Sequence, residues 1–202
     1  MRSTRTVLAA LMLIGATVDG SGGVAFHETP GRLERPDPPE WLVNEMRRLV
    51  AGGDQWIADN SEYVSDAEPW QQYGLAWRYA GDGNGVMGRL FGLIGGEDRA
   101  TFWELRLTWD EERREAVIWQ RSADGGTTGV GTMKAAPNGI ETDALQTFTA
   151  PDGTTSVIRH IATTTDDRHV TQSFDRVGGE WVPRRQYVWI RTGSGSGSGS
   201  SP

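Results

Sequence analysis

Few side chains in this sequence combine a type and a spacing that could do chemistry. Glu104 and Arg106 stand two apart in "FWELRLTWD", which puts both on one face of a strand, close enough to pair or to hold a polar group between them. An exposed cross-strand charge pair is the simpler expectation for them. His160 alternates with Ile158 and Ala162, so it could face inward and act as a ligand or a general base, although a satisfied structural histidine is expected more often. His169 follows Asp166 and Asp167, but one His with two adjacent acids lacks the convergence that a metal requires, and a solvated turn is expected there. "GNGVMG" at 83–88 matches G-x-G-x-x-G, yet it joins two strand patterns and opens no helix, so the mechanism that makes that motif bind dinucleotides is missing. Neither G-x-S-x-G nor His-Glu-x-x-His nor a phosphate loop occurs, and the absence of cysteine removes thiolate metal sites, thiol nucleophiles and disulfides. No assembled catalytic set, metal site or cofactor is expected.

The aromatic residues carry more information. Nine tryptophans are present, and each aromatic side chain can bury roughly 150–250 Å². Alternation puts Trp103, Leu105, Leu107 and Trp109 on one face of a strand and Phe102, Glu104, Arg106 and Thr108 on the other. Tyr73, Leu75, Trp77 and Tyr79 repeat the pattern. Trp119 shares a face with Val117 and Arg121, and whether it joins Trp109 depends on a loop of three or four residues. The expected ligand-binding set is Trp77, Trp103 and Trp109 as apolar wall, with Glu104, Arg106 or His160 as polar anchor wherever the register turns one of them inward. Such a wall suits a filled core or a cavity equally.

These walls need elements to position them. "DPPEWLVNEMRRLVAGG" predicts one amphipathic helix over 38–51, with Asp37 as N-cap, Pro38 at the first helical position, Glu40 completing a capping box and Gly52-Gly53 as the stop. Leu42, Met46, Leu49 and Val50 form its apolar stripe, to be packed on the outside or over one end of a barrel built by the rest of the chain. From Gln55 onward, short β-branched and aromatic runs alternate with turn clusters such as "GGED", "DEERR", "APNG" and "VGGE". They predict about ten strands, at 55–64, 72–80, 86–94, 99–109, 114–121, 127–134, 139–149, 154–163, 168–176 and 181–191. So many consecutive antiparallel strands favour closure into an up-and-down barrel, which removes both edges. The fold class is therefore all-β, with one short N-terminal helix.

The two ends read differently. Residues 1–25 have signal-peptide anatomy, with Arg2 and Arg5 ahead of an apolar run of about 12 residues from Val7 to Val18. That run is shorter than the roughly 20 residues of a membrane span, so no stable span is expected after cleavage. Export from a bacterial cell, to the periplasm or beyond, is the expected localisation, with an uncleaved anchor as the competing reading. Residues 26–37 read as a flexible approach, 38–191 as helix plus barrel, and 192–202 as a Gly/Ser tail. The net charge of −7 argues against nucleic acid as a partner.

The order of one short helix, "GGDQW", "YGLAWRY", "WDEERREAVIWQRSADGG", "GVGTM" and "GGEWVPRRQYVWIR" resembles the lipocalin-like (calycin) domains of unknown function found in exported bacterial proteins, over about residues 49–191. The resemblance implies a barrel with an interior sized for a small molecule and no settled activity. The leading functional expectation is thus an exported barrel that binds a small, mainly apolar ligand. A filled barrel that docks a protein through aromatics such as Trp181 or Trp189, or an enzyme using the cavity, stand as alternatives.

Overall fold

A computed structural model describes residues 37–51 and 55–192. The signal-peptide segment, nearly all of the 26–37 approach, the Gly52-Gly53 stop and the tail beyond Thr192 lie outside the described residues. One helix, α1 (Glu40–Val50), precedes ten strands: β1 (Gln55–Asp59), β2 (Gln72–Tyr79), β3 (Val86–Ile94), β4 (Glu97–Asp110), β5 (Glu115–Ser122), β6 (Thr128–Ala135), β7 (Glu141–Thr149), β8 (Thr155–Thr164), β9 (Arg168–Val177) and β10 (Glu180–Arg191). Each pairs antiparallel with its sequence neighbours, and β1 also pairs with β10, so the sheet closes into an up-and-down barrel. Apart from β1, which stops at Asp59 before a short 3-10 turn at Ser61–Tyr63, strand limits fall within two residues of the sequence reading.

Turn chemistry explains that agreement. Gly95-Gly96, with φ of 61° and 81°, links the paired residues Ile94 and Glu97, and Gly178-Gly179, with φ of 59° and 93°, links Val177 and Glu180. Both are two-residue connections whose positive φ angles match the twist of a hairpin. Between β4 and β5, Asp110 pairs with Glu115 across a four-residue loop, and its Oδ1 accepts bonds from the backbone N–H groups of Glu112 and Arg113. This loop length pairs Trp109 with Ala116, which places Trp119 on the outer face, under the Arg121 guanidinium at 5.8 Å.

The helix begins later than expected. Pro39 is the N-cap and makes no side-chain capping bond, so the Asp37 capping box does not form. The cause is the Pro38-Pro39 step, because a residue before proline is driven out of the helical region. Helix α1 then packs against β2 and β8, which are four strands apart on the ring, and so lies across one end of the barrel. Leu42 and Leu49 are buried beneath it, with Met46 and Val50 packed alongside. At its C-terminal end Trp56 Nε1 donates to Leu49 O at 3.1 Å, while Arg191 Nη2 donates to Arg48 O at 2.7 Å and Arg191 Nε to Asp166 O at 2.5 Å. The helix carbonyls of Arg48 and Leu49 would otherwise be unsatisfied at a helix terminus.

Three register shifts break the alternation, one of them between Gly92↔Ala100 and Leu93↔Asp98, where Arg99 is the extra residue. Between Leu90↔Trp103 and Phe91↔Thr101, β4 carries one extra residue, Phe102. The bulge turns Phe102 to ring contact with Trp70 and Tyr73, 5.2 and 5.6 Å away, instead of outward with Glu104. In β10 the pairing moves from Pro183↔Phe174 to Gln186↔Gln172, which makes Arg184 and Arg185 a bulge. A proline beside it is expected, since proline donates no ladder hydrogen bond.

Candidate functional site

The lumen is not filled. It holds a cavity of about 590 Å³. Helix α1 supplies its floor through Glu45 and Leu49, and the walls are mainly apolar, with Leu75, Leu90, Leu105, Ile118, Met133 and Ala144 among them. Trp77, Trp103 and Trp189 add indole surface. Glycines make room for rings: a Cβ on Gly88 would lie 2.7 Å from Trp77, and one on Gly129 would lie 2.5 Å from Phe148, whose ring meets Trp103 edge-on at 5.7 Å. Gly88 belongs to "GNGVMG", so that motif seats a tryptophan and closes a hairpin.

The expected site residues divide in two. Trp77, Trp103 and His160 border the cavity. Trp109, further along β4, packs against the buried cluster that contains Leu107 and Ala116 and does not border the cavity. Glu104 and Arg106 point away from the lumen. Glu104 pairs with Arg121 at 2.6 Å, across the β4–β5 ladder, and Arg106 pairs with Asp82 at 2.5 Å. The register that sends Trp103, Leu105 and Leu107 inward necessarily sends these two outward. Tyr79, expected on the inner face, sits at the end of β2 and is exposed. Trp189, expected as an outward aromatic if the barrel docks a protein, faces in and is 5% exposed, its Nε1 donating to Thr171 Oγ1 at 3.0 Å.

His169 departs furthest from expectation. Instead of lying in a solvated turn it is in β9, buried at the floor, and burial lowers its pKa to about 4. Its Nδ1 lies 2.8 Å from Thr164 Oγ1, which also lies 2.7 Å from Glu45 Oε1. Burial raises the pKa of Glu45, partly offset by the hydrogen bond from Thr164 and the charge of Arg48. A continuous Glu45–Thr164–His169 chain of polar contacts thus ties the helix to β8 and β9.

Midway up the wall, His160 Nδ1 lies 2.9 Å from Ser173 Oγ. Burial and the nearby Arg184 charge lower its pKa to about 4, so the imidazole is neutral at pH 7. Gln120 Nε2 donates to Gln146 Oε1 at 2.9 Å. Among the described residues, three buried side-chain atoms have no hydrogen-bond partner: Trp77 Nε1, Gln146 Nε2 and His160 Nε2. All three belong to cavity-lining residues.

The far end from α1 is polar. Glu68 accepts bonds from Arg185 Nη1 at 2.5 Å, Tyr73 Oη at 2.6 Å and Asn60 Nδ2 at 3.1 Å. These partners, Arg185 foremost, lower the Glu68 pKa to about 2, while burial, and after it the bond to Glu68, raises that of Tyr73. Arg185 also lies 4.0 Å over the Tyr63 ring, and Arg184 pairs with Asp175 at 3.3 Å. Both arginines border the cavity and are exposed, so the cavity meets solvent here. Among the described residues, no group of three or more His, Asp or Glu side chains is placed to hold a metal ion, and no helix is long and apolar enough to cross a membrane.

Sequence reasoning missed Glu45, Gln146, Glu68 and the Arg184–Arg185 pair. Glu45 does sit one position before Met46 on the apolar stripe, and that position was the available signal. No protein-family model matches the chain, and no curated protein matches its sequence.

Proposed function

We propose that this barrel is a binding module that holds a small, mainly apolar molecule in its lumen, and that it works outside the cytoplasm of a bacterial cell. The observation that carries the reading is the cavity of about 590 Å³, walled mainly by leucine, tryptophan and other apolar residues and meeting solvent at its polar end. Its size lies within the roughly 300–1,000 Å³ range of small-molecule sites. Export is supported by the charge and apolar pattern of residues 1–25.

Native mass spectrometry of protein purified without denaturation is the direct test, with a co-purified small molecule as the expected result. Titration with apolar fluorophores should quench or shift emission from Trp77, Trp103 and Trp189, saturating near one equivalent. Ala162 borders the cavity, so Ala162→Phe should narrow the lumen and weaken that response without unfolding the barrel. A chain that carries nothing, and whose titration is unaffected by Ala162→Phe, would overturn the reading. Export is tested separately, by the mass of the mature chain recovered from a bacterial host.

A further inference from the structure

Resting on the proposal of an apolar-ligand lumen, we infer that the molecule held there is uncharged and carries hydrogen-bond acceptors on two sides of an apolar body. Three unpartnered atoms, Trp77 Nε1, Gln146 Nε2 and His160 Nε2, motivate this. Buried polar groups are almost always paired, and those that are not mark a place where a partner belongs. Two of the three can only donate: an indole N–H has no acceptor capacity, and the Gln146 amide is oriented by the bond that its Oε1 accepts from Gln120. The third, His160 Nε2, donates when Nδ1 accepts from Ser173 and accepts when Nδ1 donates to it. Gln146 is fully buried and all three atoms lie closed within the lining, so a guest reaches them only where neighbouring side chains give way, and the unmet demand there is for acceptors.

The topology says where those acceptors belong. Trp77 is on β2 and Gln146 on β7, five strands apart whichever way one counts round the ten-stranded ring, so the two residues face one another across the lumen. His160 is on β8, where it pairs with Ala144, next to Gln146 on the same inner face. One acceptor cannot serve both walls, whereas a body bearing one on each side can.

The charged groups that border the cavity are already matched. Glu68 is held by Arg185, Tyr73 and Asn60, Arg184 by Asp175, and Glu45 by Thr164. A ligand carboxylate would have to compete with Asp175 or Glu68 for an arginine, and a ligand cation with Arg185 for Glu68. A neutral ketone, ester, amide or quinone faces neither competition, and its acceptors meet the donors that lack partners.

Four two-ring probes separate the outcomes by calorimetry on the full chain at pH 7: naphthalene, α-tetralone with one carbonyl, 1,4-naphthoquinone with carbonyls on opposite edges, and 1-naphthoate. With no cysteine present, the quinone has no thiol to which it can add. Affinity should rise about fivefold with each carbonyl, and naphthoate should bind no tighter than naphthalene. Gln146→Met and Trp77→Phe should each abolish one step, read within each variant as the ratio of its carbonyl-probe affinity to its own naphthalene affinity. The series on the unaltered chain stands even if a variant fails to fold. Equal affinity for naphthalene and naphthoquinone, or tightest binding of naphthoate, overturns the inference and leaves the apolar-lumen reading intact. Failure of all four to bind overturns both.

Discussion

The Arg191 guanidinium lies 4.2 Å from the centre of the Trp56 ring, and the two side chains each hold a carbonyl at the C-terminal end of α1. Trp56 is fully buried and Arg191 is 8% exposed, so both bonds are made away from water, and the cation lies at the helix end that favours positive charge. Arg191→Met should destabilise the fold by about 2–4 kcal/mol, measured by chemical denaturation. Arg191→Lys should recover only part of this, because an ammonium lacks the fork that reaches both Arg48 O and Asp166 O. An unchanged unfolding midpoint in Arg191→Met would mean that the pair does not fasten the helix to the barrel.

Glu45 should make stability fall as pH rises. Its folded pKa lies above the ordinary value of 4.5, so the unfolded chain releases the proton first and the native state is penalised from there up through the raised pKa. Glu45→Gln keeps an oxygen for Thr164 and removes the titration. The variant should gain stability over the wild type progressively above pH 4.5. A constant difference between the two from about pH 4 to 8 would show that Glu45 does not titrate abnormally.

The two buried histidines act in the opposite direction. Their folded pKa values of about 4 lie below the ordinary 6.5, so their stabilisation is complete above pH 6.5 and is lost as pH falls toward 4. Each should contribute on the order of 3 kcal/mol across that window. His169→Gln should flatten the acid limb of a stability-against-pH curve, whatever it does to stability near neutrality. Parallel acid limbs for variant and wild type would argue against a buried neutral His169.

Gly131 makes the closest backbone approach among the glycines of the inner wall. A Cβ there would lie 1.8 Å from Leu145 O, so Gly131→Ala must push β6 and β7 apart. The expected cost is about 2 kcal/mol or more. At Gly81, where an added Cβ would meet nothing within 4 Å, the same change should cost less than about 1 kcal/mol. Comparable melting temperatures for the two variants would contradict this.

The architecture was legible because its determinants are local. Paired glycines such as Gly95-Gly96 and Gly178-Gly179 mark hairpins wherever they stand, and the alternation of Trp103, Leu105 and Leu107 identifies an inward face. The candidate site was legible only in part, because its remaining determinants are not local. One extra residue at Phe102, and another at Arg184–Arg185, reverses which side chains point inward; nothing around Phe102 announces the first, and Pro183 is the sole mark of the second. His169 looked like part of a charged turn because Asp166 and Asp167 precede it, yet β9 begins at Arg168 and the next residue already faces the floor. Glu45 was hidden by its own polarity, since its burial depends on Thr164, 119 residues away.

Helix α1 makes the lumen a blind vessel, and this has a kinetic consequence. Glu45, Leu49 and His169 at the floor are each at most 6% exposed, whereas Arg184 and Arg185 at the other end are open to water. Under the binding role proposed above, a guest would leave by the doorway through which it came, past the Glu68–Arg185 clasp. Residence time and loading time are then governed by one and the same barrier. Loosening the clasp would hasten both and leave the equilibrium between them almost where it was.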